Sequence, residues 1–204
     1  MSSSLKVAIL DYGVGNLYSI TCALKRLGAE VKLIETVKDG LEADALILPG
    51  VGNFTAVAEK LSSEKEDIQE YVEAGRPLLG ICLGLQILLE GSEEGDGKGL
   101  GLISGSARRL LKGVKIPHIG WNTLKIVKQH EFVEGVQDGS WVYFVHSYYP
   151  SLTDKELVLA ETQYGLTFPS IVGRGALVGT QFHPEKSAET GKTLLKNFLK
   201  MVRR

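Results

Sequence analysis

Residues 78–90 read LLGICLGLQILLE, and this stretch decides the fold. The apolar run Leu78–Ile81 predicts a short buried strand, and Leu83–Glu90 has the apolar content of a helix. Glycine stands two residues before and two residues after Cys82. Small residues at those positions suit a sharp turn from strand to helix, where the backbone is crowded. The stretch therefore predicts a strand–turn–helix unit of an α/β protein.

The chain before this unit alternates strand and helix in the same way. The predicted strands are Lys6–Leu10, Val31–Ile34 and Ala45–Leu48; the predicted helices are Leu17–Leu27, ended by Gly28, and Phe54–Glu73, with a break near Ser62-Ser63. Strands that are separated by helices form a parallel sheet with both faces covered.

The second half has a different character. Its dense glycines from Gly91 to Gly105 predict a long loop. Further elements are the β-rich stretches Trp141–Tyr148, Glu156–Glu161 and Ala176–Phe182, and a final helix with Leu194, Leu195, Phe198, Leu199 and Val202 on one face. We expect one α/β domain over residues 1–204, with a mostly parallel central sheet, helices on both faces and a partly antiparallel C-terminal half.

Composition excludes several classes of partner. The formal net charge is −1, from 23 basic and 24 acidic residues, and no long run of one sign occurs, so neither nucleic acid nor a membrane surface is expected. Cys22 and Cys82 are too far apart for a metal motif or a disulfide framework, which suits a reducing compartment. No apolar run approaches the ~18 residues of a membrane-spanning helix. We expect a cytoplasmic protein with no metal and no cofactor.

Cys82 is a candidate nucleophile because a thiol at the start of a helix is favoured as the thiolate. On this motif alone, a buried structural cysteine is an equal alternative. Cys22 lies within the first helix and has no flanking glycines, so it is interpreted as structural.

A thiolate nucleophile requires a base, and the chain has four histidines. His183 ends an apolar strand, at the edge where open α/β sheets build their sites. Glu185 follows closely and could accept a hydrogen bond from the imidazole. On its own, the short pattern His183-Pro184-Glu185 is weak, and a surface turn is the more common explanation. Of the other three histidines, His118 is interpreted as a turn residue, His130 as a solvated residue and His146 as a core residue.

The segment Leu48–Phe54 reads LPGVGNF and is the third candidate element. Glycines at the end of a strand allow backbone N–H groups to face a ligand, as in an oxyanion hole. A simple proline–glycine turn is the alternative.

Together, Pro49–Gly52, Gly80–Gln86 and His183–Glu185 resemble the motifs of the class I (triad) glutamine amidotransferases. The resemblance implies a flavodoxin-like fold and a glutaminase in which Cys82 attacks the amide, His183 is the base and Glu185 orients it. It also implies an oxyanion hole at the backbone N–H groups of Val51 and Leu83, and a glutamine pocket formed by Gly50, Gly52, Gln86, Glu94, Ser147 and Tyr148.

Asp11–Leu17, Pro117–Asn122 and Tyr143–Tyr148 narrow this resemblance to the glutaminase subunits of imidazole glycerol phosphate synthases. That family implies a heterodimer with a separate cyclase subunit. The cyclase uses the ammonia to make imidazole glycerol phosphate and an aminoimidazole carboxamide ribonucleotide in histidine biosynthesis. The positions that would face the cyclase are Asn16, Trp121, Asn122, Tyr143 and Lys186.

Three alternatives remain open at this point. One is a triad glutaminase for another acceptor, as in pyridoxal phosphate or anthranilate synthesis. Another is a non-catalytic α/β scaffold subunit, and the third is a cysteine peptidase-like hydrolase on a similar fold.

Overall fold

The structure, a computed structural model, describes residues 4–13, 17–50 and 52–202. Its first part alternates strands and helices: β1 (Lys6–Leu10), α1 (Leu17–Arg26), β2 (Glu30–Ile34), β3 (Ala45–Leu48), α2 (Phe54–Leu61), α3 (Lys65–Glu73), β4 (Leu78–Ile81) and α4 (Leu83–Ile87). The predicted break near Ser62-Ser63 is confirmed, because a 3₁₀ turn separates α2 from α3.

The second part is mostly strand. Its elements are β5 (Gly91–Ser92), β6 (Gly95–Lys98), β7 (Gly105–Arg109), β8 (His118–Thr123), β9 (Lys125–Ile126), β10 (Trp141–His146), β11 (Tyr148–Leu152), β12 (Val158–Tyr164), β13 (Leu166–Arg174), β14 (Leu177–Thr180) and α5 (Ala188–Met201).

One eight-stranded sheet forms the centre, in the order β2-β1-β3-β4-β14-β13-β12-β9. Its strands β2, β1, β3, β4 and β14 pair in parallel, whereas β13, β12 and β9 join antiparallel. The order of the parallel strands is that of flavodoxin-like sheets. The predicted α/β class, with a mostly parallel sheet and a partly antiparallel C-terminal half, is confirmed.

Both faces of the inner parallel strands β1, β3 and β4 are buried, which explains their apolar sequences, whereas the edge strand β2 is mostly exposed. In β1, Val7 and Ile9 belong to one hydrophobic cluster, whereas Ala8 and Leu10 belong to the other. The first cluster packs with α1 and α5, and the second packs with α2, α3 and α4. Most of the predicted apolar face of α5 is buried: Leu194, Leu195, Phe198 and Leu199.

The predicted loop from Gly91 to Gly105 is wrong. It contains β5 and β6, which join β7 and β11 in a separate four-stranded sheet. A Cβ at Gly97 would lie 2.9 Å from the Thr55 Cα, and one at Gly95 would meet the Thr55 side chain. These glycines therefore serve the close approach of the hairpin to α2 rather than a loop.

Helix α4 is also shorter than the predicted helix to Glu90. The carbonyl groups of Ile87, Leu89 and Glu90 accept hydrogen bonds from residues 99–101, which replace further helical turns. No helix in the described ranges has the length and apolar content needed to cross a membrane. The assignment of residues 1–204 to one domain stays a prediction.

Candidate active site

Cys82 lies at the turn between β4 and α4 with backbone angles φ 52° and ψ −104°. A non-glycine residue rarely adopts positive φ, so this turn stores strain that the surrounding backbone must hold. The Cys82 N–H donates to the Thr180 carbonyl at 2.7 Å, and its carbonyl accepts from the Gln86 N–H at 3.1 Å. The predicted sharp strand-to-helix turn is confirmed.

Three glycines allow the backbone segments around Cys82 to touch. A Cβ at Gly84 would fall on the Leu48 carbonyl oxygen, and a Cβ at Gly50 on the Ile81 carbonyl oxygen. A Cβ at Gly80 would lie 2.8 Å from the backbone of Gly84. The end of β3 is therefore packed directly against the turn that carries Cys82.

We expect Gly84→Ala to lower kcat/KM for glutamine hydrolysis by about 100-fold, because displacing the turn by about 1 Å misplaces the nucleophile. Overpacking should also cost about 1–3 kcal/mol of unfolding free energy. The matched control is Gly91→Ala, where an added Cβ meets nothing closer than 3.9 Å. Kinetics and chemical unfolding of both variants test the expectation. Activity of Gly84→Ala within twofold of the unaltered protein would contradict it.

His183 follows β14, next to β4 in the sheet, which brings it beside Cys82. Its Nδ1 lies 2.9 Å from Glu185 Oε1, and both side chains are buried. A carboxylate only accepts hydrogen bonds, so Nδ1 carries the proton. The buried Nε2 has no oxygen or nitrogen partner among the described residues, and its neighbour is the Cys82 thiol.

The charge of His183 is set by opposing effects. Burial lowers its pKa, but hydrogen bonds to Cys82 and Glu185, together with their negative charges, raise the pKa from 6.5 to about 10. These contacts favour the protonated imidazole. A positive ring beside the sulfur is the arrangement that activates a thiol as a nucleophile.

Backbone contacts with β10 hold His183 in place. Its N–H donates to the Tyr143 carbonyl at 3.0 Å, and its carbonyl accepts from the Ser187 hydroxyl at 2.7 Å. The same hydroxyl accepts from the Tyr143 N–H at 3.0 Å. The position of the base thus depends on β10.

A cavity of about 240 Å³ opens beside Cys82. Its lining residues are Gly50, Gly52, Cys82, Leu83, Gln86, Glu94, Pro117, Val145, His146, Ser147 and Tyr148. All six residues expected to bind glutamine are thus brought together, as is Leu83, and their roles stay predictions. Asn16 and Val51 lie outside the described residues. Among residues that are described, no cluster of acidic, histidine or cysteine side chains suits a metal ion.

Glu94 and Gln86 are already engaged in hydrogen bonds. Glu94 Oε2 accepts from the Phe54 N–H at 2.8 Å and so helps to cap α2. Gln86 Nε2 donates to the Tyr148 carbonyl and to Gln181 Oε1, both at 3.0 Å. Glu94 Oε1 remains for a ligand, whereas Gln86 also organises the wall of the cavity.

Sequence reasoning assigned no role to Gln181, which contacts the nucleophile. The residue is fully buried, and its Nε2 donates to Cys82 Sγ at 3.6 Å. Its position between β14 and His183, two residues before the base, is the signal that could have identified it.

His118 and His146 form a buried pair of neutral rings. His118 Nδ1 lies 3.0 Å from His146 Nε2, and His146 Nδ1 lies 2.8 Å from the Tyr148 carbonyl oxygen. Burial lowers the pKa of His118 to about 4. Burial lowers the pKa of His146 to about 3. The hydrogen bond to the Tyr148 carbonyl opposes this shift, whereas the charges of His118 and His183 add to it.

We expect the free energy of unfolding to fall as pH drops below 6.5. The unfolded chain protonates both rings near pH 6.5, whereas the folded pair stays neutral to about pH 4 for His118 and about pH 3 for His146. The unfolded state then binds more protons, so stability rises with pH. At pH 5 the cost is about 2 kcal/mol per ring.

Urea unfolding from pH 5 to pH 7 measures this effect. In the double variant His118→Asn/His146→Asn, the loss of unfolding free energy between pH 7 and pH 5 should be smaller by about 4 kcal/mol than in the unaltered protein. An identical pH dependence in the two proteins would show that the pair does not stay neutral.

Two of the residues expected to face a partner, Trp121 and Tyr143, lie side by side. In the two-stranded sheet of β8 and β10, Trp121 pairs with Tyr143, and their ring centroids are 5.8 Å apart. Trp121 is 49% exposed, and Ile119 and Trp141 of the same sheet are each 58% exposed. Lys186 is exposed as well. The amide of Asn122 is instead turned inward, where it donates to the Gln163 carbonyl at 3.0 Å.

Comparison with known proteins identifies similar sequences and folds. The family model for class-I glutamine amidotransferases matches residues 8–202. Imidazole glycerol phosphate synthase subunit HisH of Methanosarcina barkeri is 48% identical over 200 residues, which cover 96% of this chain and 98% of that protein. The protein of the same name from Natronomonas pharaonis is 46% identical over 202 residues, which cover 95% of this chain and 94% of that protein. A glutamine amidotransferase structure from Thermotoga maritima has a TM-score of 0.69 at 19% identity, over 98% of this chain and 99% of that one.

Proposed function

This chain belongs to the class I glutamine amidotransferase family, and we propose that it is the glutaminase subunit of an imidazole glycerol phosphate synthase. The observation that carries the proposal is the arrangement of Cys82, His183 and Glu185 at the cavity that holds the expected glutamine-binding residues. The nearly full-length identity to proteins named as this subunit supports the choice of synthase.

The reaction follows from the charges at the site. The Cys82 sulfur attacks the side-chain amide carbon of glutamine, and a tetrahedral oxyanion forms. The Leu83 N–H at the start of α4 and the Val51 N–H are the proposed donors to this oxygen, and Leu83 lines the cavity beside Cys82. Protonated His183 gives its proton to the departing ammonia, which leaves a γ-glutamyl thioester.

Hydrolysis of the thioester reverses the role of the base. Neutral His183 takes a proton from water, the resulting hydroxide attacks the thioester, and glutamate and the thiolate are released. Glu185 accepts the hydrogen bond from the Nδ1–H group throughout, so it keeps the tautomer and stabilises the imidazolium.

The proposed partner is a cyclase subunit that docks on the exposed face of β8 and β10. Ile119, Trp121 and Trp141 expose large apolar surfaces there, and such patches on a folded protein commonly mark interaction sites. This face is continuous with the site, because Tyr143 of β10 holds the backbone of His183. Ammonia released at Cys82 would then leave close to the partner. Imidazole glycerol phosphate and an aminoimidazole carboxamide ribonucleotide are the proposed products.

Two further aspects belong to the proposal. A catalytic thiol with a second free cysteine suits a reducing compartment, so we propose the cytoplasm. A glutaminase for another acceptor would share the triad but would serve a different synthase. The names of the similar proteins favour the imidazole glycerol phosphate pathway over that alternative.

The test is glutamate release from glutamine by the purified chain, alone, with the cyclase subunit, and with the cyclase and its nucleotide substrate. Cys82→Ser serves as the blank. Stimulation by partner and nucleotide is expected. If glutamate release depends on Cys82 but is not stimulated by the cyclase, the chain is a glutaminase but does not serve this synthase. No release in any arm, with complex formation intact, would indicate a scaffold subunit.

We expect Trp121→Ala to weaken cyclase binding by about 30-fold or more, as for aromatic hot spots at the centre of interfaces. Leu41→Ala is the matched control, because Leu41 is 43% exposed and lies outside the β8–β10 sheet. Titration calorimetry with the cyclase measures both affinities. Equal affinities for the two variants would place the docking surface elsewhere.

A further inference from the structure

A continuous chain of hydrogen bonds through uncharged side chains connects Asn122 to the sulfur of Cys82. On the histidine side, Asn122 Nδ2 lies 3.5 Å from His118 Nε2, and His118 Nδ1 lies 3.0 Å from His146 Nε2. The Tyr148 carbonyl joins the two sides, because it lies 2.8 Å from His146 Nδ1 and 3.0 Å from Gln86 Nε2. On the glutamine side, Gln86 Nε2 lies 3.0 Å from Gln181 Oε1, and Gln181 Nε2 lies 3.6 Å from Cys82 Sγ.

The direction of every bond on the histidine side is fixed by the Tyr148 carbonyl. A carbonyl oxygen only accepts, so His146 Nδ1 carries the proton and, in a neutral ring, Nε2 accepts. His118 Nδ1 must then donate to that Nε2, which leaves His118 Nε2 as an acceptor for the Asn122 amide. The orientation of that amide is fixed independently, because its oxygen accepts from the Thr123 N–H at 2.8 Å.

The glutamine side of the chain is equally determined. The Tyr148 carbonyl accepts from both His146 and Gln86, which uses both of its lone pairs. The other Gln86 N–H donates to Gln181 Oε1, so the Gln181 amide must present its nitrogen to Cys82. If the Gln181 amide were flipped, its oxygen would face the Cys82 sulfur, and its hydrogen bond with Gln86 would be lost.

We propose that His118 and His146 are positioning residues that, through the Tyr148 carbonyl and the Gln86 and Gln181 amides, keep an N–H directed at the Cys82 sulfur. The inference rests on the proposed glutaminase function and extends it to residues behind the pocket. A donor aimed at the sulfur stabilises the negative charge on the nucleophile before attack. The same links hold Tyr148 and Gln86 in the cavity wall.

Burial argues that the two rings are retained for their hydrogen bonds. They are 3% and 5% exposed and contact Phe144 and Phe168. Polar rings among phenylalanines carry a desolvation cost that apolar side chains of the same size would avoid. Hydrogen bonds offset that cost only while the chain is complete, because an unpaired buried polar group is destabilising.

The experiment compares two substitutions at one position. Asparagine at position 146 places an amide nitrogen near the site of Nδ1 and can still donate to the Tyr148 carbonyl, whereas leucine fills similar space without a donor. In a Cys22→Ala background, iodoacetamide then reports the reactivity of Cys82 without glutamine or partner. Steady-state glutamine hydrolysis in the cyclase complex gives kcat and KM for the same proteins.

We expect His146→Leu to slow alkylation of Cys82 and to lower kcat/KM for glutamine by about tenfold each, as for the loss of a hydrogen bond to a charged group. His146→Asn should recover most of both losses. His130→Asn is the control, because His130 caps a 3₁₀ turn outside this chain of bonds and asparagine is a good cap. Equal rates in the leucine and asparagine variants would overturn the proposal.

A second variant covers the case in which His146→Leu does not fold. Gln181→Met removes the N–H at the sulfur while it keeps the length of the side chain, and it should slow alkylation by about tenfold. An unchanged rate there would also overturn the proposal. If the unaltered complex releases no glutamate while the alkylation rates differ as expected, the proposed glutaminase function fails and the positioning role stands.

Discussion

Replacing Cys82 with alanine is expected to lower glutamine hydrolysis by about 10⁴-fold or more, the largest loss for any single substitution in this chain. The cysteine supplies the atom that forms the thioester, and no second thiol lines the cavity among the described residues. Substrate binding and the oxyanion donors would remain, so a small residual rate above that of water is expected. Glutamate release by the cyclase complex, at saturating glutamine, measures the loss.

Cys22→Ala is the matched control for Cys82→Ala. Cys22 is a free cysteine within α1 and lies outside the cavity, so its loss should leave kcat unchanged within about twofold. His183→Ala should lose nearly as much activity as Cys82→Ala, and the double variant little more, because the two residues act as one unit. Additive losses in the double variant would mean that the residues act separately.

Glu185→Gln is expected to lower kcat by about 10⁴-fold, as when the orienting carboxylate of a triad becomes an amide. The amide can donate to Nδ1, which would place the proton on Nε2 and block the base. The carboxylate charge that raises the pKa of His183 would also be lost. The variant should fold, because it differs from the natural residue only at one atom.

The control is Glu189→Gln, an exposed acid on α5 whose salt bridge to Lys192 lies at the surface. It should retain activity, since exposed ion pairs contribute little. Titration of His183 by NMR distinguishes the variants, and its pKa should fall only in Glu185→Gln. Activity of Glu185→Gln close to that of the unaltered protein would remove Glu185 from the triad.

The inner parallel strands were predictable from sequence because they are buried on both faces. Val7–Leu10, Ala45–Leu48 and Leu78–Ile81 contain no polar side chain, and the helices between them have clear ends. The antiparallel strands were harder to predict. Strand β13 contains Pro169, which a central strand normally excludes, and it is tolerated where β12 is irregular opposite that residue.

The candidate site likewise contains residues that were predictable from the sequence and contacts that were not. Cys82, His183 and Glu185 lie in short motifs whose local chemistry is readable, and so their meeting could be predicted. The pairing of His118 with His146 depends on the register of β8 against β10, and the contact of Gln181 with Cys82 depends on packing across the sheet. Such contacts join residues far apart in the chain, so the local sequence does not reveal which residue each one meets.

The position of β14 has a consequence for synthesis of the protein. Although it lies near the C-terminus, it pairs in parallel with β4 and carries His183 to the end of the sheet beside Cys82. Until the ribosome has released this strand, β4 presents an unpaired edge and the thiol has no base. A nascent chain that lacks β14 therefore holds Cys82 without its proposed base, and the open edge of β4 is exposed to pairing with other chains.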